Sequence, residues 1–249
     1  MPVNVQNELT NKLLFNHKID LSQAIFVVAA GYSLTHDIEL LKEVYDIHKP
    51  LITCVDTIYP HLLKYGIEPD IIANLDHHPE KFEMMSTGPE GVDIRNTRLL
   101  SYAKINEPLY NLYPKERIIE GAFYPVTESV LSLALSYGII EWPTKPKIVL
   151  GADLCWIDED HYYFQGVNAE QGKRNIRVAS CSLDLDSGED IYGTHVYTNF
   201  SSWIVNKWIE NLCKLVPETV INGSRGPSMF GINSIDIIKK PLKDIMEEL

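Results

Sequence analysis

Ala24-Ile25-Phe26-Val27-Val28-Ala29-Ala30, followed at once by Gly31-Tyr32-Ser33-Leu34-Thr35, is the stretch on which the fold turns. Seven apolar residues without polar alternation, stopped by a glycine, read as a strand covered on both faces. Ile38, Leu41, Val44, Tyr45 and Ile47 then recur at helical spacing, and Thr35 with Glu39 beyond it marks the start of that helix. Strand, glycine turn and helix together are the first half of a βαβ unit.

The same alternation continues outward. Apolar or β-branched runs stand at 51–55, 70–75, 118–122, 148–150 and 219–221. Between and after them, Val130, Leu133, Ala134 and Tyr137 form one helical pattern, and the residues from Trp203 to Leu212 form another. Asn199 with Ser201 and Ser202 suits a helix cap, and Gly66 and Gly138 are placed to end helices. The expectation is an α/β, Rossmann-like, doubly wound and mainly parallel sheet in a single domain over 1–249. Residues 157–190 keep neither period, carry acidic, aromatic and basic side chains (Lys173, Arg174, Arg177), and predict a mobile lid inserted in that domain.

The 249 residues are 45% hydrophobic and 22% charged, an ordinary globular composition long enough to bury a full core. With 22 basic and 34 acidic residues the net charge is −12, which disfavours nucleic-acid partners. No stretch approaches the ~18 uninterrupted apolar residues of a spanning helix, and the polar start lacks a signal pattern, so a soluble, cytoplasmic protein is expected. Cys54, Cys155, Cys181 and Cys213 form no C-x-x-C pair; reduced thiols follow, with Cys54 and Cys155 as small buried hydrophobes.

In open parallel sheets, ligands bind beyond the carboxyl ends of the strands. The residues found there are Gly31 and Ser33 after the first run, Asp56 and Thr57 after the second, and Asp76 after the third. Thr127 and Ser129 precede the apolar helix, Gly151 and Asp153 follow the 148–150 run, and Asn222 follows the last. Glycines allow close backbone approach, hydroxyls and helix-start amides can take a phosphate, and carboxylates can hold ribose hydroxyls or Mg²⁺ through water. Neither G-x-G-x-x-G nor G-x-x-x-x-G-K-[ST] is present. His77 and His78 lack a third ligand at readable spacing, so no metal is assigned. His195, between the expected lid and a helix start, suits a general base.

The order of these pieces resembles the central domain of Maf-type (motility associated factor) flagellin glycosyltransferases over about residues 20–232. The carriers are Gly31-Tyr32-Ser33-Leu34, Val55-Asp56-Thr57, Gly66-Ile67-Glu68-Pro69-Asp70, Leu75-Asp76, the Thr127 turn with its apolar helix, Leu150-Gly151-Ala152-Asp153-Leu154 and Ile221-Asn222-Gly223-Ser224-Arg225-Gly226. That domain is similar to archaeal 6-hydroxymethylpterin diphosphokinase, and the aspartate series is similar to thiamine diphosphokinases. The 193–198 stretch resembles the histidine segment of bacterial sialyltransferases. Tyr32 stands where the family has proline, and Glu128 where a small residue is usual.

The resemblance implies transfer of a nonulosonic, sialic-acid-like sugar from a CMP-activated donor to the hydroxyl of a glycan or protein acceptor. His195 and Asp153 would be catalytic and Gly31, Ser33, Asp56, Thr57, Asp76, Thr127, Ser129, Gly151 and Asn222 nucleotide-binding, with no cofactor required. Two alternatives stand beside it: a Mg²⁺-dependent diphosphokinase of the 6-hydroxymethylpterin or thiamine type, and a non-catalytic nucleotide-binding module. A homo-oligomer is compatible with either.

Overall fold

The computed structural model describes residues 19–76, 96–102, 107–127, 129–158, 163–164, 167 and 185–249. Among them, eight strands form one sheet in which every neighbouring pair is parallel. In chain order they are β1 (Ile25–Val28), β2 (Leu51–Val55), β3 (Ile71–Asn74), β4 (Arg98–Ser101), β5 (Ile118–Glu120), β6 (Lys147–Leu150), β9 (Val220–Asn222) and β10 (Ile237–Lys239). Strands β7 (Leu185–Glu189) and β8 (His195–Asn199) pair apart from the sheet as an antiparallel hairpin.

The spatial order is β10-β9-β6-β1-β2-β3-β4-β5. The chain starts in the middle, builds outward to β5, then returns to the other side of β1 with β6. That is the doubly wound arrangement expected, and its direction reverses between β1 and β6. Phe26, Val27, Val28, Ile148, Val149 and Leu150 are fully buried, as continuous apolar strands under helices on both faces must be.

Helix α1 (Leu34–His48) follows β1 and packs against α6 (Leu242–Glu247). Helices α2 (Tyr59–Lys64) and α3 (Glu107–Leu112) follow β2 and β4, α4 (Val130–Glu141) crosses over β1, β2 and β3, and α5 (Phe200–Cys213) follows β8 and packs on α4. Every residue of α4 from Leu131 through Ile139 is buried, so this helix is apolar all round rather than amphipathic.

Two local expectations change. Gly138 does not end its helix: α4 runs on to Glu141, and Gly138 is an interior residue next to Lys147. Gly66 does close α2, in the left-handed region at φ 69°. Strands β4 and β10, at three or four residues each, had no counterpart among the predicted runs. The expected lid at 157–190 lies largely outside the described residues; its described parts include Tyr163, which bridges to Gly31, and β7.

Candidate active site at the strand-order reversal

At the reversal, the main chains leaving β1 and β6 touch. Gly31 N–H donates to the Gly151 carbonyl at 2.8 Å. A β-carbon on Gly31 would stand 2.5 Å from that carbonyl oxygen and 2.6 Å from Asp153 Cγ, and Gly151 adopts φ 66°, so both positions require glycine. The contact opens a cavity of about 670 Å³ above the carboxyl ends of the strands.

Seven of the residues singled out from the sequence line this cavity: Gly31, Asp56, Thr57, Thr127, Ser129, Gly151 and Asp153. Asp56 Oδ1 accepts from Thr57 N–H at 2.6 Å and from its hydroxyl at 3.0 Å, while Oδ2 accepts from Asn74 Nδ2 at 2.8 Å. The turn before α4 is held by its own hydroxyls. Ser132 Oγ donates to the Ser129 carbonyl and accepts from Thr127 N–H, and Thr127 Oγ1 accepts from Ser129 N–H. Among the described residues no hydrogen bond reaches the Val130 or Leu131 amides, and both residues are on the cavity wall.

A second helix start faces the same space. Asn199 ends β8 and caps α5, its Oδ1 accepting from Ser202 N–H at 2.7 Å. Asn199, Ser201, Ser202, Ile204 and Val205 complete the wall. The cap was legible in the sequence as a cap, but nothing local assigned it to the ligand site. Two helix N-termini, each the positive end of a backbone dipole, thus meet one cavity whose described wall carries no Lys, Arg or His.

Asp153 is buried, and burial, with Asp37 and Asp190 adding like charge, pushes its carboxyl up to about 7 against the opposing pull of Ser33. Near neutrality it is therefore partly protonated, which reduces the negative charge that the wall shows to an anion.

Four expected residues stand elsewhere. Ser33 is fully buried with its N–H and hydroxyl both given to Asp153, so its side chain is committed to the fold rather than offered to a phosphate. The α1 start is likewise closed, because Leu34, Thr35 and His36 donate back to Gly31, Tyr32 and Ser33. Asn222 reaches Ser228 Oγ and the Phe230 carbonyl through Nδ2 and accepts from Ser224 N–H, pinning the loop after β9. Asp76 is half-buried beyond β3 and off the cavity wall. His195 is exposed at the opposite end of β8 from Asn199, edge-on to Tyr197, and is not on the cavity wall; four strand steps, roughly 13 Å, separate it from Asn199. Glu128, His77, His78 and the basic cluster at 173–177 lie outside the described residues.

The family description "6-hydroxymethylpterin diphosphokinase MptE-like" matches residues 2–159, well over half of the chain and the whole of it from β1 to Asp153. The chain belongs to this MptE-like family. Among solved structures, a Maf glycosyltransferase from Magnetospirillum magneticum AMB-1 is similar to this MptE-like chain with a TM-score of 0.58 at 15% identity, over 99% of this chain and 41% of that one. The chain therefore spans less than half of that protein, and the likeness at this identity speaks for the fold. No curated protein sequence matches the chain.

For a family tied by name to a diphosphokinase, a Mg²⁺ site has to be tested on the residues. Among the described residues no three Asp, Glu, His or Cys side chains converge as ligands. Asp56 and Asp153 both line the cavity, but no third carboxylate and no His among the described residues joins them there. The described part of this MptE-like cavity does not fit a resident Mg²⁺. Cys54 and Cys155 are buried thiols pushed well up by burial, as expected of packing residues. Among the described residues no helix is long and apolar enough to cross a membrane.

Proposed function

We propose that this chain is a transferase that takes a sugar from a nucleotide-activated donor, specifically a CMP-linked nonulosonic acid, and passes it to an acceptor hydroxyl. The observation that carries the proposal is the meeting of two helix N-termini, at α4 and α5, on one cavity at the β1/β6 reversal. A single phosphate, as in CMP, is within the reach of such dipoles and amides. A diphosphate transfer needs clustered cations to neutralise developing charge, and the described wall has none.

In this reading the Val130 and Leu131 amides, with the Thr127 and Ser129 hydroxyls, receive the leaving phosphate. Gly31 and Gly151 let the donor approach the backbone, and Asp56 with Thr57 accepts ribose hydroxyls. Asp153 has a pKa near working pH, and it takes the acceptor proton. His195, off the cavity wall, has no part in the step. The bond between the anomeric carbon and the CMP phosphate oxygen breaks as the acceptor oxygen attacks that carbon, and CMP leaves with the bonding pair on its phosphate. No cofactor enters this scheme.

The family match favours one second reading, a diphosphokinase that would draw its Mg²⁺ in with ATP. Thermal-shift measurements with CMP, CMP-N-acetylneuraminic acid and ATP, each with Mg²⁺ or with EDTA, separate the two. Stabilisation by CMP in EDTA is the expected result. Stabilisation by ATP with Mg²⁺ alone would replace the transferase with the kinase, and stabilisation by the nucleotides without turnover of any donor would leave a binding module.

A further inference from the structure

The first turn of α5 presents apolar side chains outward. The buried face of the helix, with Val205, Ile209 and Leu212, lies farther along it, whereas Phe200, Trp203 and Ile204 are 59%, 44% and 42% exposed. Phe200 and Trp203 are not splayed: their rings lie nearly parallel at 11°, with centroids 6.2 Å apart. Lys207 Nζ stands 5.9 Å from the Trp203 ring centroid and pairs with Glu210. The patch also adjoins the cavity, since Ile204 and both neighbours of Phe200 are on the cavity wall.

We infer that the stacked Phe200 and Trp203 form the acceptor platform, taking a pyranose ring of an acceptor glycan against their exposed faces. A pyranose has one face of C–H groups and an edge of hydroxyls. The platform offers the matching pair, a flat aromatic surface flanked by Ser201 and Asn199. A sugar seated there directs its free hydroxyl edge over the start of α5 into the cavity, where transfer requires it. An exposed apolar patch continuous with a ligand cavity suits an occupant that comes and goes with each turnover. The inference rests on the transferase reading for the destination of the sugar, but the platform itself is testable without any donor.

The test is saturation-transfer NMR on the full chain with neutral oligosaccharides covering gluco-, galacto- and manno-configured pyranosides, repeated with Trp203→Ala, Trp203→Phe and Phe200→Ala. The wild-type chain should saturate the axial C–H protons of at least one class. Trp203→Ala should reduce that signal at least fivefold and Trp203→Phe much less, while the CMP-induced thermal shift stays that of wild type and so reports an intact cavity. With an acceptor that turns over, Trp203→Ala should raise acceptor KM several-fold more than it lowers kcat. Absence of saturation across the whole series, equal signals in wild type and Trp203→Ala, or a KM effect seen only with peptide acceptors would each overturn the platform. Sugar binding at Trp203 in a protein that ignores CMP would instead overturn the donor assignment and leave the platform standing.

Discussion

At Gly31 the chain passes so close to the Gly151 carbonyl and to Asp153 that a single methyl group has no place. Gly31→Ala is expected to cost about 1–3 kcal/mol by overpacking and to weaken nucleotide binding at the same time. Urea melts with and without CMP would show both effects; a variant as stable as wild type would mean that the two backbones can separate. Asp153 gives a prediction in pH. Its folded-state pKa, about 7, lies above the ordinary 3.8, so the folded protein holds this proton where the unfolded chain has lost it. Its contribution to stability is full below pH ~4 and is lost as pH rises towards and through 7. The steepest loss would be about 1.4 kcal/mol per pH unit. Asp153→Asn, which can keep both contacts with Ser33 by reversing one hydrogen bond, should flatten that slope between pH 5 and 7 in denaturation curves. It should also abolish turnover while retaining CMP binding. A parallel pH dependence in wild type and variant would show that another group titrates.

Among the elements, α5 has the most to do with the site and the least secure beginning. Its first turn is exposed apart from the Asn199 cap, and that cap orients Ser201 and Ser202 on the cavity wall. Asn199→Ala should cost about 1 kcal/mol globally, the ordinary worth of an N-cap side chain. It should raise the amide exchange rates of 200–203 more than those elsewhere in α5. Uniform exchange along the helix would place the anchor in its packing on α4 instead. Helix α4 behaves differently because its start is tied by Ser132 and Thr127 and its length is buried, so its amide donors are held in place before a ligand arrives.

Across the whole molecule, the two halves on either side of the reversal are joined by an ion pair between an exposed arginine and a buried carboxylate. Arg225, in the loop after β9, gives its N–H and Nε to the two oxygens of Asp37 in α1 at 2.9 and 2.6 Å. Asp37 is fully buried, and burial raises its pKa while Arg225 pulls the other way. Arg225→Ala would leave that carboxylate without its counter-charge and should cost about 1–2 kcal/mol, less than for a wholly buried pair because the guanidinium is solvent-screened. Adding Asp37→Asn should recover much of the loss, as measured by denaturation of both variants. A cost below ~1 kcal/mol for Arg225→Ala would show that the pair is dispensable and that the Asn222 network alone secures the loop.

The strands of the sheet centre, the three long helices and the glycine turn after β1 were determined by the sequence itself, because continuous apolar runs and 3.6-residue periods are local consequences of burial. The ends of those strands were legible with them, and seven of the residues singled out from the sequence line the cavity. Strands β4 and β10 were not, since their three or four residues include charged Arg98 and Lys239 and make too short an apolar run to stand out. Only the tertiary structure decided which strand ends meet. The Ser33 hydroxyl turned inward because an acceptor 120 residues later in the chain, Asp153, lies beneath it. Asn199 reached the cavity and His195 did not because β8 enters from one end only. Both outcomes depend on the pairing of distant segments, whose energy is summed over the packed sheet and cannot be read from any one stretch of the chain.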